Sequence, residues 1–265
     1  MSQILRVVMA QLNLRVGDVH GNVERVIEAA ANARDQFKAD LIVFPELTLC
    51  GYPPEDLLLR SSMQRRIEQA LQRLRDEVRG IYMVVGYPWL EDEQRFNACA
   101  VIADGELLGR YFKQKLPNYR VFDEKRYFIA GNQPCVIEIK GVPVALTICE
   151  DIWYAEPVRQ AREAGARLML SLNASPFHLD KQREREEVLA VRAREGGMPI
   201  VYVTRCITAL LTAEDHIRPR ALCELNGIHD LFVAEDLLKS GSTPVADPAC
   251  PADISRSAWT WPACG

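Results

Sequence analysis

Short apolar runs enriched in β-branched residues punctuate the chain at 5–11, 41–46, 81–87, 96–103, 135–141, 142–150, 168–175 and 199–204, and each has the length of a strand. Between several of them the apolar residues change to a helical spacing. In 21–37, Val23, Val26, Ile27 and Ala30 fall on one face; in 63–78, Ile67, Leu71 and Leu74 do the same. A third amphipathic stretch, 180–197, reaches its stop at Gly196. Helix between strands, repeated, predicts an α/β fold with helices covering sheet faces. The turn sequences "EDEQ" (91–94) and "ADGE" (103–106) predict hairpins, so the sheet is mixed rather than wholly parallel. A chain of 265 residues with this alternation reads as one large domain. The alternation stops after Thr204, where the text turns rich in Pro, Ser and Cys towards its end.

Composition narrows the partners. The 48% hydrophobic content excludes wholesale disorder, and 32 basic against 36 acidic residues leave no basic field for nucleic acid. The N-terminal apolar stretch is interrupted by Arg6 and followed by Gln11 and Asn13, which suits neither a signal peptide nor a membrane span. No later run reaches the roughly 18 apolar residues of a spanning helix. The expectation is a cytoplasmic protein, with no membrane and no nucleic acid among its partners. The 8 cysteines include no C-x-x-C pair and no His at ligand spacing, which argues against a zinc site and against a disulfide framework.

Candidate chemistry gathers where strands end. "VALTICEDIW" (144–153) delivers Cys149, Glu150 and Asp151 at the end of an apolar strand. A buried strand cysteine is most often inert packing; as a nucleophile it needs a base and a cation or N–H donors for an oxyanion. Glu46, after "LIVFP", is either a partly desolvated general base or an ordinary strand-end acid facing water. Lys113 and Lys115 precede Pro117, and their spacing does not say which turns inward. Glu124 follows among Tyr119, Phe122 and Phe128, enough aromatic cover to hide a carboxylate. Asp151 and Trp153 read as packing and surface solvation.

Three of these motifs, "FPE" with Glu46, "KQKLP" with Lys113 and "ICEDIW" with Cys149, resemble the Glu-Lys-Cys triad of the nitrilase, or carbon-nitrogen hydrolase, superfamily. Within it, "GYPPEDLLLR" (51–60), "LPNYRVFDEKRYF" (116–128) and "LNASPFHLDKQRERE" (172–186) are similar to the glutamine amidotransferase domain of glutamine-dependent NAD(+) synthetases. The resemblance runs from about residue 3 to residue 203. It implies an α-β-β-α sandwich and hydrolysis of the L-glutamine side-chain amide through a Cys thioester. Cys149 is then the nucleophile, Glu46 the general base and acid, and Lys113 the oxyanion partner. Tyr52, Tyr119, Glu124, Glu150, Ser175, Lys181 and Arg183 fall at substrate-pocket positions, with Glu124 also a structural acid beside Lys113.

The resemblance further implies a synthetase domain or polypeptide that takes the ammonia, assembly into homo-oligomers, no cofactor for the glutaminase step, and ATP with Mg2+ for the synthetase step. The Ser-Gly-Gly-x-Asp-Ser loop of that synthetase does not occur in the sequence. Residues 204–265 are expected to be a divergent tail, frameshifted or truncated: Asn-Gln written AAC-CAG, with one A lost and a G following, reads Thr-Arg, as at Thr204 and Arg205. Two other readings stand beside this one, a free-standing amidase or nitrilase of the same superfamily and a non-catalytic remnant.

Overall fold

A computed structural model describes residues 4–119, 122–175, 181–204 and 231–234, without the side chains of 181–183 and 231–234. Two sheets carry the fold. The first holds β1 (Val7–Ala10), β2 (Leu41–Val43), β3 (Tyr82–Glu91), β4 (Gln94–Ala103) and β5 (Glu106–Phe112), and β10 (Leu231–Ala234) joins its edge, in the order β10-β1-β2-β3-β4-β5. The second runs β6 (Val136–Ile139), β7 (Val142–Ile148), β8 (Leu168–Asn173), β9 (Ile200–Thr204) in sequence order.

Both sheets are mixed. β1, β2 and β3 are parallel, whereas the β3–β4 and β4–β5 pairs are antiparallel hairpins at the two expected turns. Their tips, Asp92-Glu93 and Asp104-Gly105, all have positive φ, the backbone that matches the twist of the flanking strands. In the second sheet β6 and β7 form another hairpin, while β7, β8 and β9 are parallel. β10 lies in the segment set apart above as a tail, and its backbone pairs antiparallel with β1, Val7 opposite Ala234.

Alternation along the strands sorts side chains into layers. Val7, Leu41, Val43, Val84 and Val101 of the first sheet meet Val144, Leu146, Leu170 and Val201 of the second in a core between the sheets. Their neighbours Val8, Ile42, Met83, Val85 and Ala100 point the other way, onto Val23, Val26, Ile67, Leu71 and Leu74. Those belong to α1 (Val19–Asp35) and α2 (Ser61–Glu77). Across the second sheet, Ala145, Met169 and Ile200 pack on Val158 and Ala161 of α3 (Ala155–Glu163) and Leu189 of α4 (Lys181–Gly196). The result is the expected α-β-β-α sandwich.

α3 and β10 were not foreseen from the sequence, and β5 was foreseen only as the second arm of the hairpin at 103–106. β5 is an edge strand whose alternation is broken by Gly109 and Arg110 and by a bulge opposite Val101 and Ile102. A Cβ on Gly109 would lie 2.3 Å from the Ile137 side chain, so the missing side chain lets β5 close on β6. α3 is short, and Pro157 in its first turn hides the helical spacing of Val158 and Ala161.

Candidate active site

Glu46 stands in the turn after β2. Leu47 there has φ +48°, and the turn backbone is pressed against β3, where a Cβ on Gly86 would come within 2.7 Å of both Leu47 N and Pro45 O. Thr48 Oγ1 donates to the Pro45 carbonyl at 2.6 Å and steadies the turn. Lys113 is the first residue past β5, held by its N–H to the Asn97 carbonyl at 2.9 Å and by its carbonyl, which accepts from Gly131 N at 2.8 Å.

These placements bring three charges together away from water. Lys113 Nζ donates to Glu46 Oε1 at 2.7 Å and to Glu124 Oε1 at 2.8 Å, and the lysine is fully buried. Asn97 Nδ2 donates to the same Glu46 oxygen at 2.8 Å, and Ala174 N–H donates to Glu46 Oε2 at 3.0 Å. Burial works against the Lys113 charge, but the carboxylates of Glu124 and Glu46 outweigh it and hold its pKa well above the ordinary value. Glu124 is pushed up to about 7 by burial, with the Glu46 charge adding to the effect and Lys113 opposing it. One ammonium cannot fully offset two buried carboxylates, so the site keeps a proton into the neutral range. Glu124 Oε2 is buried without a partner among the described residues.

Cys149 comes from the opposite sheet. β7 ends at Ile148, and Cys149 opens a 3-10 turn over Cys149–Trp153 with φ +48°. That left-handed backbone costs a non-glycine residue about 1–2 kcal/mol and turns the side chain out of the strand's register. The thiol is buried, 3.6 Å from Ser175 Oγ. Burial raises its pKa far above the ordinary thiol value, the Glu46 charge raises it further, and Lys113 and the Ser175 contact pull it down. The resting group is therefore a neutral thiol, and a nucleophile in that state requires a base.

Around this centre the other expected residues are placed as follows. Tyr52 is mostly buried, and desolvation and the charges of Glu46 and Glu124 keep its phenol protonated. Tyr119 is half exposed and donates to both Glu150 oxygens, at 3.0 and 3.1 Å; burial and this bond push it up to about 12. The side chains of Lys181 and Arg183 lie outside those described. Of the two lysines, Lys115 turns outward to Glu156 at 2.6 Å.

Of the two readings of Asp151, surface solvation is corrected and interior packing holds, with hydrogen bonds that the sequence did not reveal. Asp151 is fully buried and accepts from Tyr111, Gln114, Lys115 and Ile148. Nothing in the local sequence says that a carboxylate two residues past the cysteine meets donors more than thirty residues away. Asn97 was also missed, although a lone amide inside the apolar run "FNACAVIA" was a signal that a polar group had to be satisfied in the interior.

A hollow of about 450 Å³ between the start of α1 and the middle of α2, lined by His20, Arg66 and Arg73 among others, contains none of these residues. Among the described residues no three His, Cys, Asp or Glu side chains are gathered to hold a metal, and no helix is long and apolar enough to cross a membrane. What is gathered is a thiol, a carboxylate with a free lone pair and an ammonium, the set that acyl transfer from an amide requires.

Comparison with known proteins agrees with this chemistry. The carbon-nitrogen hydrolase family model matches residues 6–248. The glutamine-dependent NAD(+) synthetase of Xanthomonas campestris pv. campestris is 47% identical over 201 residues, which are 75% of this chain and 36% of that protein. That of Thermotoga maritima is 43% identical over 203 residues, 75% of this chain and 35% of that protein. The chain thus spans little more than a third of the length of these relatives. Among solved structures, the Acinetobacter baumannii glutamine-dependent NAD+ synthetase with ADP superposes with a TM-score of 0.74 at 41% identity, covering 77% of this chain and 38% of that one. An amidase from Nesterenkonia gives 0.69 at 31% identity and covers 76% of each chain. A variant of that amidase carries the acetamide moiety of fluoroacetamide on its active-site cysteine.

Proposed function

The chain belongs to the carbon-nitrogen hydrolase family, and on that premise we propose that it hydrolyses the side-chain amide of L-glutamine through a thioester on Cys149. The observation that carries this reading is the buried chain Asn97–Glu46–Lys113–Glu124 converging with Cys149 from the other sheet.

Glu46 is the base. Its Oε1 is occupied by Lys113 and Asn97 and its Oε2 by one N–H, so Oε2 keeps a lone pair for the thiol proton. As the sulfur bonds to the amide carbon, the carbonyl oxygen gains the negative charge that the Lys113 ammonium faces. Glu46 returns the proton to the departing nitrogen, and ammonia leaves. Water then attacks the thioester as Glu46 takes its proton; the C–S bond breaks, Glu46 passes the proton to the departing sulfur, and glutamate is released with the Cys149 thiol and the Glu46 carboxylate restored.

Glutamine rather than a simple amide is the substrate that the resemblance implies. Glu150, which accepts from Tyr119, and Ser175, 3.6 Å from the sulfur, stand with Tyr52 at the positions that the resemblance assigns to the substrate pocket. The side chains of Lys181 and Arg183 are assigned to the substrate carboxylate by resemblance alone. Relatives named glutamine-dependent NAD(+) synthetase support the same choice. The ammonia is assigned to a synthetase domain or polypeptide that amidates deamido-NAD with ATP and Mg2+ in the cytoplasm, within a homo-oligomer, with no cofactor in the glutaminase step.

The test is ammonia release from L-glutamine by the purified chain beside Cys149→Ala, with acetamide as the competing substrate. Release from glutamine that disappears in the variant is expected; release from acetamide alone would transfer the site to the amidase reading.

A further inference from the structure

Asp151 hydrogen-bonds to neither Glu46 nor Lys113, yet four donors converge on it. Its Oδ1 accepts from the backbone N–H of Gln114 at 3.0 Å and of Lys115 at 2.8 Å. Its Oδ2 accepts from the N–H of Ile148 at 2.9 Å and from the Tyr111 hydroxyl at 2.8 Å. One oxygen holds the segment that begins with Lys113, and the other holds the strand end that delivers Cys149. An ionised carboxylate offers about four lone-pair sites and no donor, so its capacity is fully used.

We propose that Asp151 is a positioning residue that sets the Lys113 ammonium against the Cys149 sulfur by clamping their two backbones together. The inference rests on Cys149 acting as the nucleophile, and not on which amide it attacks.

The need for such a clamp is physical. Lys113 and Cys149 belong to different sheets, and Cys149 holds a left-handed backbone that reverts to an ordinary one unless its neighbours are fixed. Other links reach the same segment, from Lys115 Nζ to Glu156 at 2.6 Å and from Gln114 Nε2 to Gln160 at 2.8 Å, but they lead to α3 and not to the nucleophile turn. The first is partly solvated and an ion pair of that kind contributes little. Asp151 acts on the main chain itself, where rotation of a long side chain cannot absorb a shift.

The two oxygens make the test specific. Asp151→Asn keeps the shape and one acceptor but puts an N–H2 group against either the Ile148 N–H or the Gln114 and Lys115 N–H groups, so the two sides cannot both be held. Tyr111→Phe removes one donor and leaves the three backbone bonds. The readout is the rate of Cys149 alkylation by iodoacetamide, followed by mass spectrometry of the Cys149 peptide across neutral to alkaline pH, with melting curves to establish folding.

Asp151→Asn is expected to lower that rate about 10- to 100-fold and to displace its pH profile, the scale of effect that follows a shift of about 1 Å. Tyr111→Phe is expected to lower it about two- to fivefold, the loss of one hydrogen bond. A merely structural role would lower the melting temperature and leave the alkylation profile of the folded protein unmoved; a wild-type rate and profile in either folded variant overturns the proposal. Alkylation needs no substrate, so a fall in rate with a wild type inactive on glutamine would uphold the clamp and remove only the glutamine reading.

Discussion

Lys113 is the residue on which the electrostatics of the site turns. It lies buried between two carboxylates, and removing one member of a buried ion cluster leaves its partners uncompensated. A carboxyl whose pKa is raised by folding binds its proton more tightly in the folded protein than in the unfolded chain. The stability that Glu124 contributes is therefore complete below the ordinary carboxylate range and is lost as pH rises through about 7. Lys113→Met is expected to cost about 3–5 kcal/mol at pH above 7 and distinctly less near pH 5, where Glu124 retains its proton. Urea unfolding at the two pH values reads the difference; an equal loss at both would mean that the carboxylates do not share this environment. The sequence made Glu46, Glu124 and Lys113 visible as candidates through their motifs. It left open which lysine turned inward, because Lys113 and Lys115 have the same local pattern and only the end of β5 at Phe112 separates them.

At the scale of the elements, the long strands and the helices α1 and α2 were legible because each repeats its burial period several times. β5 was legible only through its hairpin turn and α3 not at all: one is an edge strand interrupted by Gly109 and Arg110, the other a short helix with Pro157 in its first turn. The turns that carry the chemistry were legible only as strand ends. Their backbone depends on a partner that no local pattern reveals, as with the turn of Glu46 and Gly86 of β3. Gly86→Ala places a methyl group against backbone atoms that cannot swing aside, so the Glu46 turn must move. The expected outcome is a folded protein whose kcat falls about 100-fold with a smaller change in KM, as a displaced base would give. Steady-state kinetics on L-glutamine checks it, and a kcat near wild type would show that the turn has room the geometry denies.

For the molecule as a whole, the site straddles the sandwich. Glu46, Asn97 and Lys113 issue from the first sheet, Cys149, Ala174 and Ser175 from the second, and the Ala174 N–H to Glu46 bond crosses between them. The core between the sheets thus serves as the spacer of the groups proposed to react, whereas the helix-side core does not. Leu170→Ala, between the sheets, and Leu74→Ala, under α2, should each cost about 2–5 kcal/mol. At equal loss of stability, Leu170→Ala is expected to lower kcat by at least about tenfold more than Leu74→Ala does, because only the first cavity lets the sheets draw together. Denaturation and turnover measured on the same preparations separate the two effects, and matched kcat values would detach the spacing of the sheets from catalysis. The order of these groups along the chain has a consequence during synthesis. Glu46, Asn97 and Lys113 leave the ribosome first, Cys149 follows, and Ala174, whose N–H braces Glu46, comes later still. A growing chain thus carries a dormant thiol, which is armed only when the second half of the sandwich closes on the first.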